Sequence, residues 1–306
     1  MADRLGEGAL AGKSRFRYRG AMQRLTISHI TEYRYAVPVT VGPHQLLLRP
    51  REGHDVRIES SRLDISPAAQ VKWHRDVFDN SVAVATFSEP ADRLTIASEV
   101  VIEHYEEAPL DFLVADYAVN YPFIYGAEER IELLPYEQPA YPNDQDALRD
   151  WVSAFGFTPG AIETYALLDK MNRAVVDHFT YVKREEPGVQ APSETLAHHS
   201  GSCRDYAALF IEACRYLGLA SRFVSGYLHA PATEAGNAST HAWAEVYLPG
   251  TGWKGFDPTI GEVTGARHIA VAVARHPESV PPVSGSFTGP NDTSPALSVD
   301  VRVQRL

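Results

Sequence analysis

Residues 201–206 read Gly-Ser-Cys-Arg-Asp-Tyr, and they place a cysteine in the first turn of a predicted amphipathic helix. The apolar residues that follow recur at three- and four-residue steps as far as Leu217, and Gly218 stands where a helix C-terminal glycine belongs. A helix N-terminus, or a protonated histidine nearby, favours the thiolate form of a cysteine. We therefore predict that Cys203 is a nucleophile.

Nucleophilic catalysis by cysteine also needs a base and a group that orients the base. His241 opens a strand-like run, and Asp257 ends the next run, after a Pro-Gly-Thr-Gly turn at 249–252. Side chains alternate along a strand, so a plain four-residue loop would put the two side chains on opposite faces. A loop of three or five residues, or a bulge, would bring Asp257 opposite Trp243 and diagonal to His241. The hypothesis of a Cys-His-Asp triad therefore predicts such a loop or bulge.

The second cysteine and the overall charge exclude several classes of protein. The chain has 306 residues, two cysteines and a formal net charge of −11. Cys214 falls on the apolar face of the same predicted helix, roughly 16 Å from Cys203, which is too far for a disulfide, so we predict a packing role for it. Two free thiols suit a reducing compartment, and we expect a cytoplasmic protein. The negative charge and the lack of a long apolar run predict neither a nucleic-acid partner nor a membrane partner.

The pattern changes along the chain, which predicts two domains. Residues 1–21 are locally basic without the apolar core of a signal peptide, and we interpret them as a disordered leader, with Met22 as an alternative start. Residues 22–108 read as short strands and predict an antiparallel β-sandwich-like domain. Residues 109–142 are rich in Pro and Tyr, show no sustained period and are interpreted as a linker. Residues 143–306 predict an α+β domain, with C-terminal strands that could pack back on the β-domain.

The individual elements are predicted from periodicity and turn residues. Strands are predicted at 25–35, 56–65, 81–87, 94–104, 222–228, 241–248, 253–256, 269–274 and 297–303, and helices at 147–155, from 158 to about 178, and at 203–217.

Seven motifs stand in a characteristic order. They are Leu-Thr-Ile-Ser-His at 25–29, Tyr-Arg-Tyr at 33–35, Gly-x-Cys-x-Asp-Tyr at 201–206, Val-Ser-Gly-Tyr at 224–227, Thr-His-Ala-Trp-Ala-Glu-Val at 240–246, Gly-Trp through Phe-Asp-Pro-Thr at 252–259, and Arg-His-Ile at 267–269. In this order they resemble the transglutaminase-like superfamily, in the bacterial form that carries an added N-terminal β-domain and is often described as a candidate cysteine peptidase.

The resemblance implies a catalytic domain related to papain-like proteases, with Cys203 as nucleophile, His241 as base and later acid, and Asp257 as the carboxylate that orients His241. The chain departs from the family pattern at two positions. Arg204 stands where glutamine is expected, beside the nucleophile, where it could alter substrate preference. Ala274 stands where glycine is expected.

The predicted function is thiol-dependent acyl transfer at amide bonds of a protein or peptide substrate. Hydrolysis is favoured because water is ubiquitous, whereas amine transfer needs a second binding site that the sequence does not display. A protein-glutamine transglutaminase and a non-catalytic binding protein that keeps the fold are the alternatives. The backbone N–H of Cys203 is the candidate oxyanion donor.

Three further residues are candidate supporting residues of the site. Asp205 also fits a simple preference for acidic residues at a helix N-terminus. Trp243 also fits the core of the hairpin, since aromatic side chains fill such faces, and Tyr206 lies on the apolar face of the predicted helix. We expect no metal and no cofactor, because the sequence has no CxxC pair and no HExxH motif.

Overall fold

The structure is a computed structural model that describes residues 22–105, 110, 112–156, 160, 162–184, 186–229, 240–290 and 294–306. The predicted leader, residues 1–21, lies outside these ranges. The strands are β1 Met22–Leu46, β2 Val56–Ser66, β3 Ala69–Arg75, β4 Ser81–Phe87, β5 Ala91–Tyr105, β6 Asn120–Tyr121, β7 Ile162–Glu163, β8 Thr180–Tyr181, β9 Ser200–Gly201, β10 Ser221–Leu228, β11 Thr240–Leu248, β12 Gly252–Asp257, β13 Glu262–Val263, β14 His268–Ala274, β15 Val283–Thr288 and β16 Ala296–Arg305. The helices are α1 Ala127–Glu137, α2 Gln145–Ser153, α3 Thr164–His178, α4 Pro192–His198 and α5 Cys203–Tyr216.

The N-terminal half is an antiparallel sheet that curls along its long first strand. The first part of β1 pairs with β5 and β16, and its second part pairs with β4 and β15. The pairing with β5 is irregular between Arg34 and Val39, where β1 changes partners. A small core with Val39, Leu94 and Ile96 fills the space enclosed by the curl. This folded-over sheet is the sandwich-like domain that the strand pattern predicts.

Both ends of the chain build this sheet. β15 and β16 pair with β1, although they lie in the range 143–306 that the sequence pattern assigns to the second domain. The alternation of polar and apolar residues in β16 matches burial only in the second part of the strand: Val301 and Val303 are buried, whereas Leu297 and Val299 face solvent.

The predicted linker contains ordered structure, which corrects the sequence interpretation. Residues 109–142 include α1 and the short strand β6, which pairs with β7. α1 buries only Leu133 among its residues and carries Pro135 in its last turns. It therefore lacks the repeating apolar stripe by which a helix is recognised in a sequence.

The second half packs helices against a five-stranded antiparallel sheet. The strand order is β13-β12-β11-β10-β14. α5 contacts β10 and β11, and α2 and α4 contact α5. α3 begins at Thr164, after β7, whereas the Thr158-Pro159 start predicted from the sequence lies outside the described residues. No helix among the described residues is both long and apolar enough to cross a membrane.

The two halves share one buried core. Leu25 and Ile27 of β1 belong to the same cluster as Phe210 of α5 and Phe223 of β10. The N-terminal half also covers the free edge of β14, because the buried Asn80 side chain exchanges two 2.8 Å hydrogen bonds with the backbone of Val273.

A buried histidine lies in this interface. His29 Nδ1 is 3.0 Å from the hydroxyl of Tyr227, and its Nε2 is 3.0 Å from Thr31 Oγ1. Burial disfavours the charged imidazole and lowers the pKa of His29 to about 4.

We expect His29 to make the folded state less stable in mild acid. The unfolded chain binds a proton near the ordinary pKa of 6.5, but the folded chain does so only near 4, so stability is fully present above the first value and falls between the two. The loss between pH 7 and pH 5 is about 2 kcal/mol. Urea unfolding at both pH values measures it. His29→Gln should lose this part of the pH dependence and the exposed control His74→Gln should keep it, whereas identical pH profiles for wild type and His29→Gln would contradict the assignment.

Candidate active site

Cys203 is the first residue of α5 and is half-buried there. Ser202 is the N-cap residue, and its backbone N–H and its hydroxyl each donate a 2.8 Å hydrogen bond to Asp205 Oδ2. Gly201 precedes the cap at a close contact, because a Cβ at this position would lie 2.9 Å from Asp205 Cβ. The glycine turn and the capping box together fix where the Cys203 thiol lies.

Cys214 lies in a different environment from Cys203. Both cysteines are free, but Cys214 is completely buried in the core. Burial raises the pKa of the Cys214 thiol, because the thiolate would be desolvated. The packing role predicted for Cys214 agrees with this position.

The hairpin of β11 and β12 has the register that the triad hypothesis requires. Leu248 pairs with Gly252 and Ala244 pairs with Phe256, so the loop has three residues, 249–251. Continued by one position, this register puts Asp257 opposite Trp243 and on the same face as His241. The prediction of a three- or five-residue loop is confirmed, and His241 Nε2 lies 2.6 Å from Asp257 Oδ2.

The His241–Asp257 pair is buried and charged. Burial would raise the pKa of Asp257, but hydrogen bonds from His241 and His268 outweigh it and hold that pKa well below its usual range. Burial would lower the pKa of His241, but its hydrogen bonds to Asp257 and to Cys203 raise it to about 10. Since Nε2 of His241 binds Asp257, Nδ1 is the ring nitrogen left for the thiol. At neutral pH the site therefore holds a protonated His241 paired with an ionised Asp257.

His268 also contacts Asp257, and sequence reasoning did not assign it to the site. Its Nε2 lies 3.0 Å from the same Oδ2 that His241 binds. Asp257 Oδ1 accepts a third hydrogen bond, from the backbone N–H of Thr259 at 2.9 Å. The sequence signal for His268 is the Arg-His-Ile motif at 267–269, but nothing in the spacing places it beside Asp257.

Asp205 does more than place a negative charge at the N-terminus of α5, because it also forms specific hydrogen bonds. Its Oδ1 accepts 2.8 Å hydrogen bonds from the Arg184 guanidinium and from the Gln190 backbone, while its Oδ2 binds Ser202. The side chain is fully buried. Asp205 thus joins the start of α5 to the segment that includes residues 184 and 190.

Arg204 contacts the same segment. Its guanidinium donates to the backbone carbonyl oxygens of Arg184, at 3.4 Å, and of Glu186. These contacts direct the Arg204 guanidinium toward the backbone of this segment, and its effect on substrate preference stays a prediction.

A cavity of about 370 Å³ lies beside the glycine turn. It is lined by Val182, Lys183, Arg184, Glu186, Gln190, Ser200 and Gly201. β8 runs parallel to β9 along it, and Tyr181 pairs with Gly201. Burial raises the pKa of Tyr181 to about 12, and the nearby Cys203 is the second cause of this shift. The cavity is therefore lined by both residues of β9, the strand that leads into α5.

Tyr206 and Trp243 are buried packing residues of the site. The Tyr206 ring lies 6.0 Å from that of Phe179. The Trp243 ring centroid lies 6.2 Å from that of His241 and 5.3 Å from that of His268. Gly226 makes room for it, because a Cβ at this position would lie 2.7 Å from Trp243 Cη2. Trp243 is thus part of the hairpin core and also packs beside the rings of His241 and His268.

Ligand atoms of His241, Asp257 and His268 lie within 4.8 Å of one another, which is a spacing that could hold a metal ion. Both imidazoles, however, bind one carboxylate oxygen directly at hydrogen-bond distances. The direct 2.6 Å contact is shorter than the separation of two ligand atoms around a metal with bonds of about 2.0–2.2 Å in a tetrahedral site. The arrangement fits a hydrogen-bonded network better than a ligand set.

Comparisons with known proteins agree with this fold. The sequence model of the bacterial transglutaminase-like N-terminal region matches residues 25–103, and that of the transglutaminase-like superfamily matches residues 154–258. The crystal structure of a candidate cysteine protease from Cytophaga hutchinsonii superposes with a TM-score of 0.72 at 16% identity, covering 94% of this chain and 91% of that one. The chain thus shares its fold with that structure.

Sequence relatives extend over nearly the whole chain. The uncharacterized protein Rv2569c of Mycobacterium tuberculosis is 32% identical over 297 residues, which are 91% of this chain and 92% of the relative. The uncharacterized protein ML0607 of Mycobacterium leprae is 25% identical, over 93% of this chain and 100% of its own length. The chain belongs to the transglutaminase-like superfamily.

We expect alkylation to separate the two cysteines. At mildly acidic pH, iodoacetamide should label Cys203 before Cys214, because Cys203 is half-buried beside the protonated His241 whereas Cys214 is completely buried. Peptide mass mapping after timed labelling measures both rates. His241→Ala should slow the labelling of Cys203 at that pH, and equal slow labelling of both cysteines in the wild type would show that the site is not activated.

Proposed function

We propose that this chain transfers acyl groups from amide bonds through Cys203, His241 and Asp257, with a peptide or protein as the acyl donor and water as the acceptor. The observation that carries the proposal is the buried 2.6 Å His241–Asp257 pair whose other ring nitrogen is left for the cysteine at the start of α5. Membership of the transglutaminase-like superfamily supports thiol-dependent chemistry in general terms.

In the first half of the reaction, the Cys203 thiolate attacks the carbonyl carbon of the amide and a C–S bond forms. His241 gives its Nδ1 proton to the leaving nitrogen, the C–N bond breaks and an amine departs. Asp257 stays ionised and keeps Nε2–H of His241 directed toward it, so that Nδ1 faces the thiol.

The developing negative charge on the carbonyl oxygen needs a donor. The backbone N–H of Cys203 lies at the first position of α5, where a helix has no acceptor of its own for it. We propose this N–H as the oxyanion donor.

In the second half, His241 takes a proton from water, the water oxygen attacks the thioester carbon and the C–S bond breaks. The products are a carboxylic acid and the regenerated thiolate. A primary amine in place of water would give a new amide instead, and the same three residues would serve. The acceptor therefore has to be identified by experiment.

We expect Cys203→Ala to abolish turnover and Cys214→Ala to retain it. Removing the nucleophile of a serine protease triad costs about 10⁶-fold in turnover, and we expect a loss of that order here because no nucleophile remains. Cys214 is buried in the core and takes no part in the proposed reaction. The assay offers a mixture of peptides and, separately, a glutamine-containing protein with a fluorescent primary amine.

The two readouts separate the acceptors. New peptide termini that require Cys203 would support hydrolysis, whereas covalent amine incorporation that vanishes in Cys203→Ala would replace hydrolysis with amine transfer. If neither readout differs between wild type and Cys203→Ala while the alkylation test finds no activated thiol, the non-catalytic alternative replaces both.

A further inference from the structure

The geometry points to His268 as a positioning residue that holds the Asp257 carboxylate in the orientation needed by His241. This inference rests on the proposed function, and it extends the site from three side chains to four. His268 binds Asp257, and the proposed role is exerted through that carboxylate.

The hydrogen bonds of His268 determine which nitrogen carries its proton. Nδ1 of His268 accepts a hydrogen bond from the backbone N–H of Gly265 at 3.3 Å, so Nδ1 bears a lone pair. In a neutral imidazole the proton is then on Nε2, which lies 3.0 Å from Asp257 Oδ2. The turn that contains Gly265 therefore makes His268 a hydrogen-bond donor to the carboxylate.

The acceptor needs this donor. Asp257 is fully buried, and an ionised carboxylate without water is stable only where hydrogen bonds replace its hydration. His241 and His268 both donate to Oδ2, and the Thr259 backbone donates to Oδ1. Because donors hold both Oδ1 and Oδ2, the carboxylate plane cannot rotate away from His241. The low pKa of Asp257 has the His268 hydrogen bond among its causes.

The fold holds His268 in place from a separate strand. His268 opens β14 and pairs with Leu228 of β10, and the same β10 strand carries Gly226 opposite His241. The Trp243 ring meets the His268 ring edge-on at 5.3 Å. The His268 side chain is 3% exposed, so bulk water does not replace its hydrogen bond.

The charged and titratable groups around Asp257 come from four elements. His241 faces it from β11, His268 faces it from β14, and Cys203 reaches it from α5 through His241. Glu262 of β13 pairs opposite Asp257 along the backbone and forms a 2.6 Å ion pair with Arg267 at the surface. Among these, His268 is the donor that no step of the proposed reaction uses.

Two substitutions separate the two hydrogen bonds of His268. The amide nitrogen of glutamine overlays the Nε2 position, so His268→Gln can still donate to Asp257. Asparagine is shorter, so His268→Asn can accept from Gly265 but cannot reach Asp257. The experiment measures the rate of Cys203 alkylation by iodoacetamide between about pH 4 and pH 9, together with the thermal unfolding of each variant.

We expect the acid limb of the Cys203 labelling profile to move up by about one pH unit in His268→Asn, which is about a tenfold lower rate near pH 5. Asp257 then binds a proton more readily, and the protonated form of His241 loses its partner. His268→Gln should restore the wild-type profile to within about threefold. A residue with only a structural role would lower the unfolding temperature of both variants without moving the profile.

The outcomes separate this inference from the proposed function. If Cys203 is labelled as fast in His241→Ala as in the wild type, the proposed function fails. If His241→Ala slows the labelling and His268→Asn keeps the wild-type profile, the role of His268 is refuted and the proposed function stands. Nitrogen-15 NMR of the imidazoles in the wild-type protein gives a check that needs no variant: His268 should be the Nε2–H tautomer at neutral pH, and an Nδ1–H tautomer would overturn the inference.

Discussion

The buried carboxylate of Asp257 is the group on which the rest of the site depends. A charge excluded from water must be balanced by hydrogen bonds, and its three donors come from three parts of the chain. The donor on β11, His241, requires the three-residue loop of the hairpin. The donor on β14, His268, requires that strand to pair with β10. The donor at Thr259 requires the chain to turn directly after β12. The strand order of the five-stranded sheet is thus the arrangement that brings all three donors to one anion.

A second buried carboxylate does the same for the nucleophile. Asp205 binds the N-cap residue Ser202 with one oxygen, and Arg184 and the Gln190 backbone with the other. The start of α5 is therefore attached to the segment that lines the neighbouring cavity. The two carboxylates thus have separate roles at the Cys203–His241 contact. Asp257 orients the base, and Asp205 fixes the start of α5, which carries the thiol, relative to the cavity wall.

Local patterns predicted much of this architecture, but not the contacts that depend on strand order. β4 was predicted at its observed bounds because turns that contain Asp, Asn and Pro flank it. α1 buries a single residue and has no readable period. β3 is mostly exposed, although Ala69, Val71 and Trp73 alternate with polar residues along it. The His241–Asp257 contact could be predicted from the length of one loop, because both residues lie on one hairpin. The contact of His268 with Asp257 could not, since β10 and β11 lie between their strands.

The same sheet explains why the N-terminal half is more than an appended domain. β14 is an edge strand of the five-stranded sheet, and an uncovered edge leaves backbone groups without partners. The Asn80 side chain satisfies both backbone groups of Val273, and the Arg51 backbone N–H donates to the Ala270 carbonyl at 2.8 Å. The strand that carries His268 is therefore held on one side by β10 and on the other by the N-terminal half. β15 and β16, which follow β14 in the chain, also pair with β1 of the N-terminal half. Removing the N-terminal half would free β14, and with it one donor to the carboxylate that orients His241.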